Sequence, residues 1–402
     1  MNQDCISSQM EQYLANEELA GALLEVRKDG RTVYQNKWGF SDLTAGTPLS
    51  YDAIFRMMSM TKCVTAVSIL QLVEEGKVGL DDALSRYIPS FAQMQVADDA
   101  RYRWHDGMKM TEIICKLPFF RMDKVQTEPA SREITIRDLL SHSSGLEQGI
   151  VGMLAMTKDT RTRVSLQDQA ERYSHYALDF QPGCGTGYSP LAGFDMLARV
   201  IEVASGMDAE TYYQTRIFEP LGMCDTAFHL NEQQQKRLVQ LYRRKGKHLV
   251  NVTGTKEDLP QKLHLGEDYI CGAGGLYSTL ADYGAFAQML QQNGAYQGKR
   301  LLKPEMVALM HTEAPPAHLE PEPGFVWGLG VKIRQDPVRG GSFATAGTYG
   351  WSGAFGTHFF ISPKDHLSCV LLLNRSDLDG AGSYISKKVE ELVFGMFAER
   401  QD

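Results

Sequence analysis

Apolar residues recur along this chain at two different spacings, and the spacing changes wherever Gly, Pro or Asp interrupts. Near the N-terminus Ile6, Met10, Tyr13 and Leu14 fall at helical intervals. After Gly21 the run Ala22-Leu-Leu-Glu-Val-Arg meets Asp29-Gly30, and Thr32-Val-Tyr-Gln-Asn-Lys-Trp follows. Asp-Gly between two such runs predicts a β-hairpin. A helix is predicted over about Met60 to Glu75, with Val64, Val67, Ile69, Leu70 and Val73 on its buried side and Gly76 as its stop.

The stretch 90–131 is different, rich in Met, Lys, Arg and Asp and strongly apolar only from Ile113 to Phe120. It predicts an irregular excursion, either beside a substrate cleft or as a plain solvated loop. Thr135, with Asp138 three residues on, predicts an N-cap for the short helix carrying Leu139 and Leu140. Within a helical region spanning roughly 136–235, Leu191, Phe194, Leu197 and Ile201 mark a helix that Gly206 stops. The polar stretch 232–262, with its basic run Arg243-Arg-Lys-Gly-Lys-His, predicts a solvated hairpin or loop.

From Gly272 onward, Gly-rich turns separate strand-like runs. Thr279 and Asp282 cap a predicted helix through Leu290. Val326-Trp-Gly-Leu-Gly-Val-Lys-Ile, Thr357-His-Phe-Phe-Ile and Ser368-Cys-Val-Leu-Leu-Leu predict strands, and Ile385, Val389, Leu392 and Met396 a final amphipathic helix. Helix–strand–strand at one end and strand–strand–helix at the other predict an α+β protein. Its sheet domain is built from 1–89 and 265–402, with a mostly helical domain, 90–264, inserted between.

Composition narrows the function. At 402 residues the chain has room for two domains or one with a large insertion. Its 49 acidic against 41 basic residues leave a net charge of −8, which excludes a chain-wide attraction to nucleic acid or an anionic bilayer. No apolar run approaches the ~18 residues of a membrane span. The N-terminus lacks a basic segment followed by an apolar one, so no secretory signal is read there and a cytoplasmic location is expected. Seven cysteines, scattered singly without CxxC spacing, argue against a disulfide framework or structural zinc and predict small buried hydrophobes in a reducing compartment.

Three segments carry candidate chemistry. In Ser59-Met60-Thr61-Lys62, Ser and Lys at i and i+3 share one face of a helix start, which predicts the lysine amine within hydrogen-bonding reach of the hydroxyl. A serine becomes a competent nucleophile when a neighbour takes its proton. A lysine does so only if burial or nearby positive charge lowers its pKa from ~10.4. Tyr188-Ser189-Pro190, after a glycine-rich loop, brings a phenol able to relay or donate a proton. Trp351-Ser352-Gly353-Ala354 precedes a strand, where the amides of Ser59 and Ala354 are candidates for a two-donor oxyanion hole, Gly353 permitting close approach.

Together these segments resemble the serine beta-lactamase and penicillin-binding superfamily, in its class C-like branch and most nearly the family VIII carboxylesterases. Ser59-x-x-Lys62 resembles the nucleophile motif and Tyr188-Ser-Pro the Tyr-x-Asn motif. Trp351-Ser-Gly353 stands where that family has Lys-Thr-Gly or Trp-x-Gly. Ile136-Arg-Asp-Leu-Leu-Ser-His-Ser-Ser-Gly-Leu146, Phe218 to Phe228, Ala273 to Gly284 and Trp327-Gly-Leu-Gly330 also resemble family segments, so the likeness covers most of the chain.

The resemblance implies a beta-lactamase/transpeptidase-like fold, an antiparallel sheet flanked by helices. It implies that Ser59 is acylated, that Lys62 helps remove its proton and that Tyr188 assists the leaving group. Either Lys62 or Tyr188 is the immediate base. Three departures bear on substrate: Pro190 replaces an Asn, Trp351 a Lys, and Ala354 a hydroxyl residue. With Trp351, Ser352, Gly353 and Pro190 as the substrate-binding set, they shift the expectation from a charged beta-lactam toward a neutral, fairly apolar ester. The expected activity is thus a serine carboxylesterase with weak or absent beta-lactamase activity. An acyltransferase, a beta-lactamase, a D-aminopeptidase and a non-hydrolytic acyl-binding sensor are the alternatives.

The expected partner is a small-molecule ester or amide, with no nucleic acid, membrane, cofactor or metal in the scheme. His142, in a Ser-His-Ser-Ser-Gly turn, is assigned local hydrogen bonding rather than a triad role, because no complete G-x-S-x-G elbow exists. Asp81-Asp82 and Asp98-Asp99 read as turn and surface carboxylates.

Overall fold

The structure is a computed structural model describing residues 4–398, apart from 106, 313, 315–321, 379 and 381. Residues 1–3, part of the segment read as lacking a signal, lie outside the described residues. Helix α1 (Asp4–Ala15) leads into β1 (Gly21–Lys28) and β2 (Arg31–Asp42). Asp29 and Gly30, both at positive φ (52° and 73°), make the tight turn that the dipeptide predicts. A short β3 (Thr47–Pro48) follows. The second half of the chain adds β4 (Phe325–Trp327), β5 (Lys332–Arg334), β6 (Tyr349–Ser352), β7 (His358–Ser362) and β8 (Leu367–Leu373).

These eight strands form one sheet in the order β4-β5-β6-β7-β8-β1-β2-β3. Every pair is antiparallel, and β1 joins the two chain ends by pairing Ala22 with Leu373 and Lys28 with Leu367. The run Val326 to Ile333, predicted as one strand, is a hairpin: Gly330 at φ 77° turns the chain between β4 and β5.

Side chains alternate strictly between two layers. Leu23, Val370, Leu372, Phe359, Ile361, Tyr349 and Trp351 face a large core on the front of the sheet. Ala22, Leu24, Val26, Cys369, Leu371 and Phe360 face a second core at the back, closed by α1 and the C-terminal helix Tyr384–Phe397.

Helix α2 (Thr61–Glu74) runs through the front core, where Thr61 to Leu72 are all buried. One buried side was predicted; the helix is enclosed all round, and Val73 is only partly covered. It packs against α3 (Ala192–Ser205), which Gly206 ends at φ 73°. Helix α4 (Leu280–Gln291) lies on the front of the sheet, with Thr279 accepting from the Asp282 N–H as its N-cap.

The 90–131 excursion holds a two-stranded ribbon (Gln95–Ala97 with Thr127–Pro129) and a short helix (Met110–Lys116). The 232–262 stretch is the predicted hairpin (Tyr242–Lys245 with His248–Asn251), but it is not simply solvated. Leu241, Val252 and Leu259 are buried, and Asp258 makes a buried ion pair with Arg56, three residues ahead of Ser59. Cys63, Cys271 and Cys369 are buried as expected, whereas Cys115, Cys184 and Cys224 are exposed.

Candidate active site

The segment before Ser59 is held in an unusual backbone state. Phe55 and Arg56 pair with Ser278 and Tyr277, and the chain then turns through Met58, whose φ is +49° although it is buried and not glycine. A left-handed conformation at such a residue costs about 1–3 kcal/mol and persists only where the surroundings dictate it. Here the Met57 N–H donates to the Leu276 carbonyl (2.8 Å), and the Thr61 hydroxyl donates to the Met58 carbonyl (2.7 Å). The Leu276 N–H in turn donates to the Thr61 oxygen (3.2 Å). The turn lifts Ser59, half-buried, out of the core just ahead of the fourteen-residue α2, whose N-terminal dipole favours negative charge.

Gly353 brings the other wall in. A Cβ there would lie 2.2 Å from the Met57 carbonyl oxygen and 2.2 Å from the Thr357 hydroxyl, so only glycine allows this approach. Thr357 donates to the Met57 carbonyl (3.1 Å), and the Gly353 N–H donates to the Thr357 carbonyl (2.7 Å). The partly exposed Ala354 that follows packs in the same apolar cluster as Met58.

Tyr188 and Lys62 both converge here, in different ways. The Tyr188 hydroxyl donates to the Ser59 hydroxyl oxygen at 2.6 Å. Lys62, which sequence spacing predicted against Ser59, is only 1% exposed and donates instead to the carbonyls of Pro190 (2.7 Å) and Ala273 (2.8 Å). Its ammonium lies 5.0 Å from the centre of the Tyr188 ring.

One expected binding residue, Ser352, is placed differently from the sequence reading. Trp351 faces the cleft, 5.2 Å from Tyr188 and 4.9 Å from Trp327 between ring centres. Ser352, the next residue on the same strand, necessarily points to the opposite face of the sheet. Its hydroxyl is 2.7 Å from His358 Nδ1, so its side chain is not part of the cleft. Pro190, half-buried, meets the site through its carbonyl and Lys62.

Other contributors carried no role in the sequence reading. His142, at φ 55° and 1% exposed, accepts the Ser189 N–H on Nδ1 (3.1 Å) and packs on Tyr188 and Trp327. Its ring thus bonds far along the chain, while its own N–H donates locally to the Leu139 carbonyl (3.5 Å). Burial, with the Lys62 charge added, holds its pKa well below the usual histidine range, so the ring is neutral. Behind Lys62, Asp195 accepts the Ala273 N–H (3.3 Å) and the Tyr269 hydroxyl (2.7 Å), and burial raises its pKa. Trp327 completes an aromatic wall, its ring 6.2 Å from that of Tyr188. Trp327 stood in the sequence only as part of a family-like segment, without this role, and the buried acids had no local signal.

A half-exposed hydroxyl hydrogen-bonded to a phenol, with a buried cation behind, is equipped for acyl transfer. Comparison with known proteins agrees. The Beta-lactamase family profile matches residues 6–391. An uncharacterised protein of Mycobacterium tuberculosis is 30% identical over 370 residues, covering 88% of this chain and 86% of that one. Esterase EstB of Burkholderia gladioli is 25% identical over 404 residues, covering 96% and 93%. The structure of simvastatin synthase (LovD) from Aspergillus terreus superposes with a TM-score of 0.78 at 20% identity, covering 98% of both chains, which bears on the fold alone. With nearly its whole length matched and its hydroxyl, phenol and amine in one cleft, the chain belongs to the beta-lactamase family of serine hydrolases.

Proposed function

We propose that this protein is a serine carboxylesterase that hydrolyses neutral, short-chain esters through an acyl-enzyme, with weak or absent beta-lactamase activity. The observation that carries the reading is the 2.6 Å hydrogen bond between Tyr188 and Ser59, backed by the Lys62 ammonium. In the acylation step Tyr188, once its own proton has passed to solvent, takes the Ser59 proton while the serine oxygen attacks the ester carbonyl. Lys62 supplies positive charge beside the ring and is held there by two carbonyl acceptors. The Ser59 and Ala354 amides receive the developing oxyanion. Tyr188 then returns the proton to the leaving alkoxide, and a water repeats the sequence to release the acid.

The substrate class follows from the walls. Trp351, Trp327 and Tyr188 form an aromatic surface where a carboxylate-binding lysine would otherwise stand, and aromatic faces suit an apolar ester body. EstB is named as an esterase, which supports the same reading. The scheme needs no metal or cofactor, and a cytoplasmic site of action accompanies it.

Purified protein assayed on short-chain p-nitrophenyl esters and on nitrocefin tests this directly. Mass spectrometry after fluorophosphonate treatment locates the labelled residue. Ester turnover with label on Ser59 is the expected result; a strong preference for nitrocefin, or label elsewhere, overturns it. An added alcohol distinguishes transfer from hydrolysis by the ester product it would yield.

A further inference from the structure

The Lys62 ammonium donates to the carbonyl of Pro190, and the N–H of that same peptide unit, on Leu191, donates to Glu147 Oε2 (2.8 Å). One peptide group is therefore clamped between a carboxylate and an ammonium. Glu147 Oε2 also accepts the Ala192 N–H (2.7 Å), at the start of α3, a helix whose own N-cap residue, Leu191, supplies no side-chain acceptor. Glu147 is 2% exposed, sits at φ 56°, and its Oε1 has no hydrogen-bond partner among the described residues. Pro190 lies two residues after Tyr188, so whatever orients this peptide orients both the cation and the phenol.

We propose that Glu147 is a positioning residue for acylation: its carboxylate fixes the Pro190–Leu191 peptide so that the carbonyl holds the Lys62 ammonium behind Tyr188. The proposal rests on the reading of Ser59, Lys62 and Tyr188 given above. It gives Glu147 a duty beyond capping α3, because a negative charge polarises the peptide toward the cation, which a neutral cap does not. The charged groups facing Glu147 are Arg163 and Asp195, with Tyr173 and Tyr176 beside them, Asp179 on the neighbouring 148–152 backbone and Lys62 across the peptide. Burial raises the Glu147 pKa to about 7, against the opposing pull of the two amides and Arg163. Protonation thus removes the charge as pH falls through about 7.

The test compares wild type with Glu147→Gln, whose amide oxygen still accepts the two N–H groups but carries no charge. Measured are kcat, KM and the rate of fluorophosphonate labelling at Ser59 from about pH 5 to 9. We expect kcat to fall about tenfold with KM within about twofold, and the acid limb near neutrality to flatten in the variant. Wild-type kcat and an unchanged pH profile in Glu147→Gln overturn the proposal, even if its thermal stability drops. Should the variant not fold, wild-type labelling decides: a rate that declines through neutrality supports the role, and a flat one overturns it. Failure of the underlying reading looks different, since then wild type itself takes no label on Ser59.

Discussion

The two faces of the sheet each hold a buried or half-buried serine hydrogen-bonded to a titratable side chain. On the front, Ser59 accepts from Tyr188; on the back, Ser352 bonds His358 Nδ1 at 2.7 Å, and His358 Nε2 lies 2.8 Å from Glu390. The back row even opens on a cavity of about 320 Å³ that includes Phe325, Lys332, Lys387 and Tyr384 among its walls. By side-chain inventory alone, serine–histidine–carboxylate looks the more competent of the two.

Backbone and charge reverse that ranking. Ser352 lies in a regular strand, paired with His358 across the ladder, and the Gly353 N–H after it is spent on Thr357. That amide is therefore not available to receive an oxyanion beside Ser352. Ser59 instead follows the strained Met58 and precedes a long helix. Glu390 is also ion-paired to Arg334, and both are buried. Burial would raise the Glu390 pKa, but Arg334 and His358 outweigh it and hold it at about 2. The back network is a closed set of charges tying the C-terminal helix to β5 and β7. What distinguishes a nucleophile from a structural hydroxyl here is the turn it sits on and the donors left unspent around it.

Substitutions can break this contrast. Ser59→Ala should lower ester kcat by about 10⁴-fold or more in a folded protein, measured by p-nitrophenol release. If Ser352→Ala does so instead, the assignment of faces is wrong. Tyr188→Phe keeps the ring against Trp327 and Trp351 but loses the proton acceptor, so kcat should fall about 10²–10⁴-fold with little change in KM. Gly353→Ala drives a methyl into the Met57 carbonyl and displaces Ala354; a loss of about 10²-fold in kcat is expected, with label still on Ser59.

The back network should answer in stability rather than rate. Glu390→Gln leaves Arg334 buried without its counter-ion and should destabilise the fold by about 3 kcal/mol, read from denaturant unfolding, while kcat of the folded enzyme stays within about twofold. A large kcat loss would mean that the two faces are coupled. The smallest effect is a pH signature. Because the folded pKa of Glu390 is depressed, its contribution to stability is present above about pH 4.5 and lost as pH falls toward about 2. Glu147, raised to about 7, has the opposite sign: its contribution falls as pH rises from about 4.5 to 7. Wild-type-minus-variant unfolding curves for Glu390→Gln and Glu147→Gln should therefore slope in opposite directions with pH.

Much of this was legible because it is local. The Asp29–Gly30 hairpin, the Thr135 and Thr279 caps and the Gly206 stop each depend on a few adjacent residues, and all appear in the structure. Ser59, Lys62 and Tyr188 were legible as residue types in two motifs, and the cleft gathers them. What went astray needed partners far along the chain. Lys62 finds its acceptors 128 and 211 residues away, at Pro190 and Ala273. The 232–262 hairpin is pinned by Asp258 to Arg56, 202 residues earlier, so a polar segment became a wall behind the nucleophile. Ser352 was placed in the cleft because a motif names consecutive residues, while a strand sends them to opposite faces.

The order of residues by itself determined the elements, their caps and turns, and the stock of reactive groups, since each follows from backbone preferences and hydrophobic spacing over a turn or two. Only the folded chain decided which hydroxyl is strained and half-open, which base touches it, and which carboxylates stand behind the lysine. Those depend on distances between segments a hundred or more residues apart, set when the two cores close on either side of the sheet.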